Sequence, residues 1–211
     1  FIPKMAEAYE RLKGQAGDGE GVRLRLTIEP PEIADLPWEM IYDGNVFIAT
    51  LDDHPIVRSV AELNAIPMRK VRGPLRILYA WAAPPDVSEL PNLATAAAAL
   101  EAALNENRHI QCEVLQHVDR DTLSSRLKER DYHVLCFAGH GQGDRIYLEA
   151  TNGHDKLSAD DLAGLLEGKG TRLVYLAACE TAGRWSDGGQ LTGFAHSLSQ
   201  TVASKSGTSC A

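Results

Sequence analysis

The stretch His133-Val134-Leu135-Cys136-Phe137-Ala138-Gly139-His140-Gly141-Gln142-Gly143-Asp144 decides the fold. Residues 133–138 read as an apolar strand, and it delivers a histidine held between two glycines. A second stretch repeats the plan. Leu173-Val174-Tyr175-Leu176-Ala177-Ala178-Cys179-Glu180-Thr181-Ala182-Gly183 is an apolar strand ending on a cysteine after two small residues. Outward from this pair, apolar runs alternate with helical patterns. Strands are expected at 75–81, 111–115, 133–138 and 172–178, with a hairpin strand at 146–149. Helices are expected at 93–105, at 121–129, after Ser158, and at 191–200. Ser158 opens its helix with Asp160 and Asp161 in the first turn, as N-capping and the helix dipole favour. Strands alternating with helices of about ten residues imply βαβ units, hence an α/β fold with a mostly parallel central sheet between helices.

Ahead of this core the pattern differs. Met5, Ala8, Tyr9 and Leu12 recur at helical spacing until glycines 14–21 break it. Residues 22–28 alternate apolar and polar, the period of a strand with one buried face, and Pro30-Pro31 ends it. Residues 36–41 read as a short helix with Pro37 in its first turn, and 45–49 and 56–60 as short strands. The expected organisation is therefore a helix and β-rich subregion over 1–73 and an α/β core over 74–211.

Bulk composition excludes several classes. With 44% hydrophobic and 24% charged residues, 211 residues are enough to bury a sizeable core. No apolar run reaches the roughly 20 residues of a membrane span. Phe1-Ile2-Pro3-Lys4 lacks the basic-then-apolar order of a signal peptide, although numbering that starts inside a longer protein leaves an upstream segment open. Net charge is −8, and Arg120, Arg126, Lys128 and Arg130 alternate with Asp119, Asp121, Glu129 and Asp131. That reads as a solvated helix face, and without a basic stripe nucleic acid is a poor partner. The four cysteines, 112, 136, 179 and 210, have no framework spacing and read as reduced thiols of a cytoplasmic protein.

In parallel sheets, chemistry collects in the crevice outside the carboxyl ends of the strands. His140 and Cys179 both stand there. Glycines beside His140 permit positive φ and close approach of a substrate. A thiol beside an imidazole is held as thiolate and becomes a nucleophile. The backbone N–H groups of Gly141 and Cys179 would supply a two-donor oxyanion site. Taken singly, each residue has a plainer reading, His140 as a structural histidine and Cys179 as a small core residue. The pair, at successive strand ends, is the stronger signal.

These residues, 39 apart (179 − 140), resemble the base and nucleophile of caspase-like cysteine peptidases. More closely, the sequence resembles the CHAT domain, a caspase-like module usually found beside tetratricopeptide repeats in bacteria. The resemblance runs over residues 22–200. It is carried by Leu24-Arg25-Leu26-Thr27-Ile28-Glu29-Pro30-Pro31-Glu32, Leu36-Pro37-Trp38-Glu39, Ala138-Gly139-His140-Gly141 and Leu176-Ala177-Ala178-Cys179-Glu180-Thr181. Gly193-Phe194-Ala195 fits the start of the helix after the nucleophile. Separases share the Gly-His-Gly; the Pro-Trp-Glu segment is what sets CHAT domains apart. The resemblance implies a caspase-like three-layer sandwich and a His140/Cys179 dyad. It further implies a protein substrate and control by a repeat region or another sensor in the same or a partner protein. It calls for no cofactor, metal, nucleic acid or membrane. Relatives that cleave after Arg or Lys often carry Asp two residues before the nucleophile, where this chain has Ala177; Asp144 and Asp187 are the loop acids that would border the cleft. The chain ends at Ser209-Cys210-Ala211, where the family begins its next core strand, so elements of the specificity pocket are expected beyond it.

Rival motifs fail on their spacing. Gly139-His140-Gly141-Gln142-Gly143 matches neither a dinucleotide nor a Walker loop. A zinc site from His133, Cys136, His140 and Cys179 would need ligands from opposite strand faces. No Gly-x-Ser-x-Gly is present. Trp38 and Trp81 read as core residues. The alternative to an enzyme is a catalytically inactive caspase-like scaffold or signalling module.

Overall fold

The computed structural model describes residues 3–28, 33, 36–59, 71–178, 186–187, 190–191 and 193–207. The chain divides into two compact units, Phe1–Leu63 and Asn64–Ala211. Among the described residues no helix is long and apolar enough to cross a membrane.

In the first unit, α1 (Pro3–Gln15) precedes β1 (Leu24–Thr27), which pairs in parallel with β2 (Ile56–Ser59). The alternation in the sequence is the alternation in burial: Val22 and Leu26 are buried, Arg23 and Arg25 exposed. Tyr9, Val22 and Ile48 form a small core with Leu24, Ile41 and Ile56. Trp38–Met40 is a single 3₁₀ turn, and Glu39 holds β2 through a forked contact with Arg58 at 2.6 and 2.8 Å. Trp38 is only half-buried, not core as expected, and its indole N–H donates to the Ile33 carbonyl at 2.7 Å. The strand expected at 45–49 does not form. The Asp43 carboxylate accepts the N–H groups of Asn45 and Val46 at 2.8 and 3.0 Å, which turns the chain back on itself. What remains is one bridge, Tyr42 to Phe47, and a 3₁₀ turn at Ile48–Thr50.

The second unit is built on four parallel strands in the order β4-β3-β5-β9: β3 (Leu75–Trp81), β4 (Ile110–Leu115), β5 (Val134–Gly139) and β9 (Leu173–Ala178). Successive side chains face opposite ways, so the sheet builds two cores. On one face Trp81 and Ala138 pack with Tyr79, Val114 and the helix α2 (Leu93–Asn105) through Ala97 and Leu93. On the other, Leu78, Ala80, Leu135 and Phe137 meet α3 (Arg120–Glu129), α4 (Ala159–Leu166) and α5 (Phe194–Gly207). This is the expected sandwich of a parallel sheet between helices. Trp81 is core, as read, with an indole N–H that finds no partner among the described residues.

A hairpin branches from the end of β5. β6 (Gly141–Gln142) pairs antiparallel with β7 (Arg145–Ala150), and β7 with β8 (Gly153–Ser158). The sequence reading found β7 and missed β8, whose residues Gly153-His154-Asp155-Lys156 show no apolar alternation. Ser158 then opens α4 with a full capping box, its hydroxyl accepting from Asp161 N–H at 3.1 Å. Two short strands, β10 (Ser186–Asp187) and β11 (Gln190–Leu191), pair antiparallel.

Three side-chain groupings bear on the framework. The arginines of α3 and its end are ion-paired and not merely solvated. Arg120 meets Asp155 and Asp161, while Arg126 and Arg130 converge on Glu113 of β4. Asn105, at the end of α2, clamps the outer edge of β4: its amide accepts from Cys112 N–H at 2.8 Å and donates to Cys112 C=O at 3.1 Å.

The third is His133, which is buried, with Nδ1 accepting Arg76 N–H at 3.0 Å. Burial, then the charges of Arg76 and Arg172, lowers its pKa from the ordinary histidine value. A lowered folded-state pKa means the unfolded chain takes up the proton first as pH falls below about 6.5. The stability of the neutral ring is thus present above that pH and lost below it. Urea midpoints should fall more steeply between about pH 7.5 and 5.5 in wild type than in His133→Gln; parallel pH curves would refute this.

Candidate active site

The strand order decides where a cleft opens. From β3 the chain crosses to β4 on one side and returns to β5 on the other, with α2 covering one face and α4 the opposite one. Connections leaving adjacent strands toward opposite faces open a crevice at their carboxyl ends. The loop 82–92 after β3 and the turn after β5 therefore flank the same crevice, and His140 is the first residue beyond β5.

Gly139, the last residue of β5, is a glycine for lack of space. A Cβ there would lie 2.9 Å from the Phe137 ring and 3.0 Å from the Ala82 carbonyl. The positive φ expected of the glycines beside His140 is instead found at Gly143 (φ +59), in the β6–β7 turn. Tyr147 N–H of β7 donates to the His140 carbonyl at 3.0 Å. In an antiparallel ladder bonded and non-bonded rungs alternate. The Gly141–Ile146 rung is then the non-bonded one, and Gly141 N–H points away from β7.

The half-buried His140 ring has a defined partner. Its Nε2 lies 2.6 Å from the Ser88 carbonyl, in the loop after β3. A carbonyl only accepts, so Nε2 carries the hydrogen and the neutral ring keeps its lone pair on Nδ1. The ring is thus held in the tautomer that leaves the Nδ1 lone pair open to a proton.

The partner strand ends in register with this one: Gly139 pairs with Ala178, the last residue of β9. His140 and Cys179 are the next residues in sequence. Cys179, with Cys210, lies outside the described residues. The two described cysteines are free thiols and poor nucleophiles. Burial, then the Glu101 charge, pushes Cys112 up to about 11, and burial pushes Cys136 up as well. Beyond Cys179, α5 starts at Phe194, whose N–H donates to Gly143 C=O at 3.0 Å. The helix thereby meets the turn that follows His140.

Of the acids considered for the cleft, Asp144 is half-exposed at the β6–β7 turn, 3.5 Å from Arg145 Nε, and Asp187 sits in β10 paired with Gln190. A cavity of about 550 Å³ opens elsewhere, beside the start of β3 and along β4, lined by Arg76, Cys112, Glu113 and Arg130 among others. It lies toward the amino ends of these strands, away from the carboxyl ends where His140 stands. The sequence reading missed the groups that furnish the loop after β3. Ser88 contributes a main-chain atom, Ala83 N–H donates to Glu149 Oε1 at 2.9 Å, and Asp86 meets His154 at 2.7 Å. The Pro84-Pro85-Asp86 run immediately after an apolar strand was the available signal.

No curated protein matches the chain. The family model for the CHAT domain matches residues 4–203, nearly the whole length. A parallel sheet between helices, a Gly-His-Gly at the end of one central strand and an Ala-Ala at the end of its neighbour agree with that match. The chain belongs to the CHAT domain family, a branch of the caspase-like peptidase fold.

Proposed function

We propose that the chain is a CHAT-type cysteine endopeptidase that cleaves a protein substrate through a His140/Cys179 dyad. The observation that carries this reading is the Gly139–Ala178 register. A trans peptide spans about 3.8 Å between Cα atoms, so the residues following a registered pair of parallel strand ends start from neighbouring positions. The Nε2–Ser88 hydrogen bond adds support, since it leaves Nδ1 free to take the thiol proton.

In this mechanism Nδ1 of His140 accepts the Cys179 proton, and the thiolate attacks the scissile carbonyl. The oxyanion is met by the N–H groups of Gly141 and Cys179. The imidazolium, stabilised by the Ser88 carbonyl, returns its proton to the leaving amine. Water, deprotonated by the same ring, then releases the acyl group and regenerates the thiol. We further propose that a tetratricopeptide-type repeat or other sensor region governs access to the cleft. The proposed setting is the reducing cytoplasm of a bacterium, in keeping with the free thiols Cys112 and Cys136.

The reading is tested by limited alkylation of the native protein with iodoacetamide, mapped by mass spectrometry. Cys179 is expected to label first, well ahead of Cys112, Cys136 and Cys210, and to slow in His140→Ala. A Cys179 that stays silent while other exposed thiols react would point to the inactive-scaffold alternative.

A further inference from the structure

We propose that Asp86 and His154 are positioning residues for His140, acting through the loop that presents the Ser88 carbonyl; this rests on His140 being the base of the dyad. The Ser88 carbonyl sits in the irregular segment between Trp81, the end of β3, and Leu93, the start of α2. Ser88 itself is exposed. An acceptor on an exposed loop competes with water and fixes a ring only if the loop is already held in place.

The hold is made in steps along the chain. Ala82 N–H donates to Ala138 C=O at 3.1 Å, extending the β3–β5 pairing by one residue. Ala83 N–H donates to Glu149 Oε1, and His117 Nδ1 contacts the same oxygen at 2.9 Å. Asp86 Oδ2 then accepts from His154 Nδ1 at 2.7 Å. Among the described residues Asp86 is the last side-chain anchor before Ser88. Only Val87 lies between them, so fixing Asp86 confines the Ser88 carbonyl to a reach of roughly 7 Å.

His154 is itself fixed. Its ring stacks on Tyr147, centroids 4.3 Å apart and planes within 9°, and Tyr147 O–H donates to Gln142 at 2.8 Å. Gly153, at φ +134, makes room for the pair: a Cβ there would lie 2.7 Å from Asp86 Oδ2. The β7–β8 hairpin therefore grips His140 twice. Tyr147 N–H holds its main-chain carbonyl, and His154, through Asp86, holds the loop that binds its ring. A half-exposed hydrogen bond of this kind contributes little to stability, whereas one set two residues from the acceptor of a tautomer-fixing hydrogen bond sets geometry.

The test reads the His140 ring directly, in protein labelled with ¹⁵N-histidine and assigned by a His140→Gln control. In wild type, Nε2 should show the shift of a protonated ring nitrogen and Nδ1 that of an unprotonated one. In Asp86→Ala and in His154→Ala both shifts should move toward the tautomer average. Asp86→Asn, whose amide oxygen still accepts from Nδ1, should restore them. Peptidase kcat should fall roughly 10- to 100-fold in Asp86→Ala with KM nearly unchanged. Ring shifts unchanged in both alanine variants would overturn the proposal. The shifts are read without substrate, so a chain that cleaves nothing would refute the peptidase reading and still leave this question decided.

Discussion

Cys179→Ala and His140→Ala are each expected to lower cleavage of a proteome-derived peptide library by at least 10³- to 10⁴-fold. The magnitude follows from how a nucleophile and its base act as one unit. Removing either member leaves only binding and oxyanion stabilisation, and losses of up to about 10⁶-fold are known for such pairs. The double variant should be scarcely worse than either single one, because the second residue has nothing left to act on. The two losses should also differ in kind. Cys179→Ala removes the atom that becomes acylated, so no covalent adduct with a peptidyl electrophile should form. His140→Ala keeps the sulfur, and its residual labelling should rise with pH as the thiol ionises without help. Cleavage that survives in Cys179→Ala would assign the activity to other residues and end the dyad reading.

Phe137→Ala is expected to destabilise the second unit by about 3–5 kcal/mol, the range for truncating a fully buried aromatic. Phe137 is 1% exposed, in the cluster that joins β5 to α3, α4 and α5. For a chain of this size that corresponds to a melting midpoint lower by roughly 6–20 °C. The effect should reach beyond stability. The edge of the Phe137 ring is what a Cβ on residue 139 would strike, so the ring forms the floor beneath Gly139. Phe137→Leu, which keeps most of the volume, should cost much less. Equal midpoints for wild type and Phe137→Ala in thermal unfolding followed by circular dichroism would contradict this packing account.

Much of the core was legible because its signals are local. Residues 75–81 and 93–105 were bounded in sequence as they are in the structure, since a short, mostly apolar run after Pro74 and a longer Ala/Leu-rich run are told apart by length and composition. The failures have a common cause in contacts that sequence does not display. The 45–49 segment is apolar enough for a strand, but the Asp43 side chain takes the N–H groups of Asn45 and Val46. β8 is polar along most of its length and exists because β7 offers it a ladder. α5 runs on to Gly207, past the expected 200, and starts at Phe194 where Gly193 ends the preceding loop. At the site, His140 was visible from its flanking glycines. Its acceptor was not, because a main-chain carbonyl leaves no mark on residue identity. Asp86 and His154 are 68 residues apart and become neighbours only through the unforeseen strand.

The Asn105 clamp has a consequence for how the molecule behaves in company. An edge strand with open N–H and C=O groups is a template on which another chain's strand can grow. On β4 the groups of Cys112 are occupied by a side-chain amide that imitates a neighbouring strand for one residue and then stops, and Ile110 N–H is taken by Asn107. Between Ile110 and Cys112 that edge is thereby partly occupied from within the chain. An incoming strand would have to displace the Asn105 amide before it could pair with Cys112.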